Sequence, residues 1–277
     1  MYRNILVHMD GSPACAARIA AGASLAKACG ATLTGVFLTS EFTPYPAIGA
    51  RAIMPSVNIE AFMNERKAAT QAALTAARHA FDEAMKFAGI PFYWLNLEGD
   101  HAAPLIACAR RHDLTIVPPA MTPVFGDHTT HAADIALHAG GPVIVMDRAG
   151  LPSTGPRRIL IAWKESREAA RALRDAWPLL QQATDITVLS VRRHGGHAAD
   201  DVLKRHFEVH GCRAARFVVA DAEDAEAAQI IRRTAADVHA DMVVMGLYGR
   251  PRFMEFVLGG VSSDFLADIA APLFLSH

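Results

Sequence analysis

NILVHMDGS, residues 4–12, and RILIAWKES, residues 158–166, are two versions of one phrase. Each is a short apolar run that stops at polar residues and ends on a serine, and each serine precedes an alanine-rich segment. An apolar run of this length followed by apolar residues at intervals of three and four reads as a strand entering a helix. In the second copy Ala169, Leu173, Ala176 and Leu180 mark one helical face. Both copies go on to another strand-like run, ATLTGVFL at 31–38 and DITVLSV at 185–191.

The endings match as well. GGPVIVMD (140–147) and AAPLFLSH (270–277) are each a helix exit, a proline and a last apolar run. Pro142 and Pro272 suit the first position of a strand, where a missing amide is tolerated. LTIVPPA (114–120) and DMVVMGLYG (241–249) supply a fourth strand to each half. The seam RAGLPSTGPRR, 148–158, is rich in glycine and proline, as a linker is. Two similar units result, 1–149 and 150–277. Alternating strands and helices predict an α/β fold: two tandem α/β/α layered domains, each with a mainly parallel five-stranded sheet. Runs such as ILIAW and MVVM, apolar without alternation, suit strands covered on both faces. Glu41–Pro55, with Pro44, Pro46, Gly49 and Pro55, reads as an inserted loop, and the helical pattern after it reaches about Ala88.

Composition narrows the function classes. With 27 basic and 28 acidic residues the formal net charge is −1, which supplies no global attraction to nucleic acid or to an anionic membrane. No run of 18 apolar residues is present, so no spanning helix is expected. MYRNILVHMD enters a strand at once, without the charged region, long apolar stretch or cleavage site of a leader, and a cytoplasmic location is the expectation. Cys15, Cys29, Cys108 and Cys212 form no CxxC pair and read as ordinary thiols, the first two buried in a helix.

The richest local pattern is GLYGRPRFMEFVLGG, 246–260. In a parallel α/β sheet ligands bind beyond the carboxyl ends of the strands, and the fourth strand of the second half delivers Gly246 there. Gly246 and Gly249 permit positive φ and close approach of a ligand to the backbone. Successive amides in such a turn form an anion-binding nest. Gly259 and Gly260 then lead through Val261, Ser262 and Ser263 into a predicted helix, whose first amides also attract phosphate. Arg250 and Arg252 add local positive charge. The plainer reading of the same glycines is a strand cap and a helix start.

With these motifs the second half resembles a universal stress protein domain, and the chain resembles the tandem form of that family. The first half fits more loosely, through NILVHMDGS and GGPVIVMD. ATP-binding members carry G-x-x-G, nine residues, then glycine and a hydroxyl residue; Gly246, Gly249 and Gly259 match, and Gly260 stands in the hydroxyl place. The resemblance implies one site, in the second half, for ATP or another adenine nucleotide, with or without Mg. It sets Ala162 and Val191 against the base, with Trp163 bordering the crevice, and Gly246, Gly249, Arg250, Arg252, Gly259, Gly260, Val261 and Ser262 about the phosphates. Where such members have an aspartate after the first strand, this chain has Asp10 in the first half and Lys164 in the second. Lys164 reads equally as a phosphate-holding cation, as a sign of lost nucleotide contacts, or as a solvated lysine. In the first half Pro118 and Pro119 stand where the glycine motif would begin and remove amide donors. The family also implies a pseudo-dimer of the halves through their last strands, around Val143–Met146 and Leu273–Ser276, with a homodimer of chains left open.

Other chemistry is poorly represented. Neither GxxxxGK[ST] nor GxGxxG nor GxSxG occurs, so slow ATP hydrolysis is the most that is expected and no catalytic residue is assigned. Among 13 histidines, His206 and His210 would share a helical face, His194 and His197 lie upstream, and His128 and His131 form HTTH. Two histidines are half a tetrahedral set, and exposed histidines are the expected reading. Asp221, Glu223, Asp224 and Glu226 read as the acidic opening of a helix. Trp94, Trp163 and Trp177 read mainly as packing residues. Two functions therefore stand: a nucleotide-sensitive stress-response or regulatory protein that engages a protein partner, or an interaction protein that keeps only the fold.

Overall fold

The structure is a computed structural model; it describes residues 1–39, 59–99, 102–121, 129–147, 150–192, 201–212, 215–222, 226–247 and 271–277. Five strands of the main sheet come from the first half: β1 (Asn4–Met9), β2 (Thr32–Thr39), β3 (Phe92–Glu98), β4 (Leu114–Val117) and β7 (Val143–Val145). Five come from the second: β8 (Arg158–Trp163), β9 (Asp185–Arg192), β10 (Ala215–Asp221), β11 (Met242–Gly246) and β12 (Leu273–Ser276). All ten lie in one sheet, in the order β10-β9-β8-β11-β12-β7-β4-β1-β2-β3. Read outward from the middle, both halves have the same order, and every neighbouring pair within a half is parallel.

The join is antiparallel, with Leu273 opposite Val145, Phe274 opposite Ile144 and Leu275 opposite Val143. This is the expected pseudo-dimer contact. It converts what would be two unpaired sheet edges into interior ladder, leaving β3 and β10 outermost. Across the halves, Tyr2 donates its hydroxyl proton to the Asp175 carbonyl and Arg171 donates to the Gly140 carbonyl at 2.8 Å, while within the second half Ser276 Oγ donates to Asp175 Oδ2 at 2.6 Å.

Alternate strand residues feed two cores, as a sheet covered on both faces requires. Ile5, Val7, Ile159, Ile161, Met242 and Val244 face one layer, with helices α1 (Cys15–Cys29), α2 (Ile59–Met85), α5 (Arg167–Asp175) and α7 (Asp201–Val209). Leu6, Leu160, Val243 and Met245 face the other, with α3 (Ala102–Ala109), α4 (Ala132–His138) and α8 (Ala227–Asp237). The face predicted for the second half's first helix is buried at all four positions, but the helix is interrupted. It stops at Asp175 and a short turn α6 (Trp177–Leu180) follows, with Pro178 near its start.

A shared anchoring device went unnoticed in the sequence. Asp113, just before β4, accepts the backbone amides of Arg3 and Asn4 on one carboxylate oxygen, at 2.7 and 3.0 Å. Asp241, just before β11, accepts those of Arg157 and Arg158 in the same way, at 2.9 and 2.8 Å. Each aspartate thus ties the start of the first strand of its half to the fourth.

The halves part after the fourth strand. In the first, Ala120–Met121 (β5) pairs with Thr130–His131 (β6) in a separate two-stranded sheet. The loop expected at Glu41–Pro55 lies outside the described residues. The long helix ends at Met85, a turn short of the predicted Ala88. Of the acidic helix opening, Asp221 closes β10 and Glu226 is the N-cap of α8, while Glu223 and Asp224 are outside the described residues.

Candidate site at the carboxyl edge of the second half

β8, β11 and β12 run side by side in one direction, so their carboxyl ends open on one edge. Met245 is opposite Ala162, Gly246 is opposite Ser276, and Trp163 is opposite Ser190 of β9. The expected residues Ala162, Trp163, Val191 and Gly246 therefore gather at this edge. They do not share a face. Ala162 and Val191 pack on the side of α8, whereas Trp163 packs on the side of α5 and α7. Lys164 is exposed immediately beyond β8. Gly249, Arg250, Arg252, Gly259, Gly260, Val261 and Ser262 lie outside the described residues.

What Gly246 does differs from the expectation. Its φ is not in the left-handed region, unlike that of Gly30 or Gly211. The constraint is contact instead. A Cβ at 246 would stand 2.5 Å from the Ala169 nitrogen, 2.5 Å from the Glu168 carbonyl carbon and 2.8 Å from the Glu168 Cβ. The first turn of α5 thus rests directly on the end of β11, closer than any side chain permits. That turn is held by Ser166, whose hydroxyl accepts the Ala169 amide at 3.2 Å as N-cap. Glu168 is buried beside it and paired with Arg167 at 3.0 Å. Burial pushes the Glu168 carboxyl up, but hydrogen bonds from its own amide, Arg167 and Ser166 outweigh burial and hold it below the usual range. On the far side of Gly246, the Leu247 amide bonds the Ser276 carbonyl at 2.9 Å, and His277 Nδ1 lies 3.0 Å from the Leu247 carbonyl oxygen. The start of the glycine segment is therefore fixed from both sides.

The first half builds the same edge differently. Register places Pro118 where the second half has Gly246: Leu114 sits opposite Ile5 as Met242 sits opposite Ile159. Helix α1 carries Arg18 where α5 has Ala172, and Arg18 is fully buried. Its Nη2 is 2.6 Å from Asp10 Oδ2, and its Nε donates to the His8 carbonyl at 3.3 Å. Burial raises the Asp10 carboxyl, but Arg18 and the Ser12 bonds outweigh it and hold the group below its ordinary value. The Asp10 carboxylate is thus committed to an internal ion pair. The sequence carries a signal for this: Arg18 lies three and four residues from Cys15 and Gly22, on the small-residue face of α1, and both are buried. A buried cation on such a face needs an anion within reach.

No metal-type group of three or more His, Cys, Asp or Glu occurs among the described residues. Cys15, Cys29 and Cys108 are buried and Cys212 is half-buried, and burial raises all four thiols. No described helix is long and apolar enough to cross a membrane.

The doubled, mostly parallel sheet with helices on both faces defines a tandem α/β protein of two like halves. The universal stress protein family model matches residues 1–114 and 155–275, and the chain belongs to that family, with two copies of the domain in tandem. Among solved structures, a universal stress protein from Archaeoglobus fulgidus DSM 4304 is 16% identical, with 99% of this chain and 95% of that chain covered at a TM-score of 0.73. A functionally unknown protein from Pseudomonas aeruginosa PAO1 is 14% identical, covering 99% and 92% at a TM-score of 0.57. At these identities the likeness concerns the fold. No curated protein matches the sequence.

Proposed function

We propose that the second domain, from residue 150 onward, binds one adenine nucleotide, ATP or a relative with or without Mg, at the edge around Gly246. The protein then acts as a nucleotide-sensitive regulator in the stress response. The observation that carries this is Gly246 itself, which brings the capped first turn of α5 into backbone contact with the end of β11, at the head of the G-x-x-G segment. A helix start attracts anions, and here it meets the head of the glycine-rich segment of the sequence. Nucleotide shifts the population of a surface state read by a protein partner, rather than being turned over rapidly. The first domain stays empty, because Asp10 is engaged in an ion pair with Arg18 and Pro118 replaces the glycine. The reading fits a cytoplasmic protein with no role for nucleic acid or membrane.

Titration of nucleotide-free protein with ATP, ADP and AMP tests the proposal. Binding to the native state raises the melting temperature, by the equivalent of about 2.7 kcal/mol at a hundred times the dissociation constant. Gly249→Val abolishes the rise, and the stoichiometry is one per chain. A second reading, an interaction protein that keeps only the fold, is favoured by Lys164 in the aspartate place. Mass spectrometry of ligand released from the purified protein separates the two: adenine nucleotide supports the first, an empty crevice the second.

A further inference from the structure

Away from the nucleotide edge, α7 carries a feature that the proposed function does not use. His206 and His210 are both exposed, one helical turn apart, with the His210 amide bonded to the His206 carbonyl at 3.2 Å. Their rings are not splayed, since the centroids are 4.5 Å apart at 59°. Trp177 of α6 holds them together, with its ring 5.4 Å from His206 and 4.6 Å from His210, edge to face with both. Between the two histidines Phe207 anchors the helix, 1% exposed, against Trp177 at 5.5 Å and Phe217 at 5.7 Å. The turn that presents the imidazoles is therefore fixed to the core.

We propose that His206 and His210 form a two-imidazole chelate for a late first-row divalent metal ion, Cu2+ before Ni2+ or Zn2+. Two nitrogens bonded to one such ion at about 2.0–2.1 Å stand roughly 3–3.5 Å apart. Rings whose centres are 4.5 Å apart reach that by small side-chain rotations. Imidazole is the ligand type these ions accept, Cu2+ most strongly, whereas Mg2+ and Ca2+ require oxygen. A ligand must also be deprotonated to bind. Two ring nitrogens fill only part of the coordination sphere, so water completes it and the ion remains open to a further ligand.

Trp177 supplies the readout, because a bound Cu2+ within a few ångströms of the indole quenches its fluorescence. Cu2+ is titrated into the full chain, alongside His206→Ala/His210→Ala and Trp177→Phe, with circular dichroism confirming that each variant is folded. Saturable quenching at one Cu2+ per chain is expected. It is lost in Trp177→Phe and in the double histidine variant, and electron paramagnetic resonance of the wild-type complex shows coupling to two nitrogens. Wild-type protein without saturable quenching, or a double variant quenched at the same Cu2+ concentration as wild type, overturns the proposal.

Discussion

Replacing Gly246 by alanine separates two reasons for a glycine that predict opposite signs. Where backbone conformation suits alanine, Gly→Ala stabilises by about 0.4–1 kcal/mol, because the unfolded chain loses freedom. Gly246 has no positive φ to forbid alanine, so conformation alone predicts that gain. Contact predicts a loss. The new Cβ would meet two backbone atoms of α5 at 2.5 Å, and backbone cannot swing aside as the end of a side chain can. Overpacking of this kind costs about 1–3 kcal/mol. At roughly 2–4 °C per kcal/mol for a chain near this size, the melting temperature falls by about 2–12 °C. Gly11→Ala is the control, since no atom lies within 4 Å of its added Cβ and its φ is not positive either. Urea midpoints and thermal scans of both variants without nucleotide decide the matter. A Gly246→Ala protein as stable as wild type, or more so, refutes the contact between α5 and β11 on which the proposed site is built.

Four further outcomes follow from the same geometry. Asp10→Asn strands the fully buried Arg18 and costs about 3–5 kcal/mol, whereas Arg18→Met costs less because the half-exposed Asp10 regains water; denaturant titration of both measures the asymmetry. Burial raises the Asp241 carboxyl, but the Arg158 side chain and the amides of Arg157 and Arg158 outweigh it and hold the group below its ordinary value. Its contribution to stability is thus complete above the unfolded carboxylate range and is lost as pH falls through the lower folded value, so Asp241→Asn loses stability at pH 7 and unfolds over a flatter acid limb. Phe274→Ala removes a fully buried side chain from the strand that joins the halves and costs about 3–5 kcal/mol by the same titrations. Ser166→Ala removes the N-cap of α5 for about 0.5–2 kcal/mol and weakens the nucleotide-induced rise in melting temperature along with it.

The fold was legible because it is written twice. Matching strand–serine–helix phrases at 4–12 and 158–166, and matching proline–strand endings, mark two copies of one alternating strand–helix unit, while the meeting of the last strands was an implication of the family resemblance. Apolar period and turn residues carry that information locally. The contacts between distant segments were not legible. Nothing around Gly246 in sequence says that α5, some eighty residues earlier, lies against it, so a positive φ was the available guess and close approach was the fact. The paired roles of Asp113 and Asp241 were missed for the same reason, since a carboxylate before a strand looks solvated until its amide partners arrive from another strand. Trp163 stands next to Ala162 in the chain but on the opposite face of the sheet, a consequence of the two-residue period.

The two halves also show how one duplicated frame reaches unlike ends through few substitutions. Where the second half has Ala172, Lys164 and Gly246, the first has Arg18, Asp10 and Pro118. Each set is internally consistent. Arg18 requires an anion and the half-exposed Asp10 supplies it, while Pro118 stands in the glycine place and offers no amide. In the second half the small Ala172 makes no such demand, Lys164 remains exposed beyond β8, and glycine lets the helix turn close on the strand. Exchange of single residues between the halves is therefore expected to destabilise. Ala172→Arg alone buries a cation with Lys164 in the place of its anion, whereas Ala172→Arg with Lys164→Asp recovers part of the loss. Thermal unfolding of the single and double variants measures that coupling, and additive losses would show that the two positions do not act as a pair.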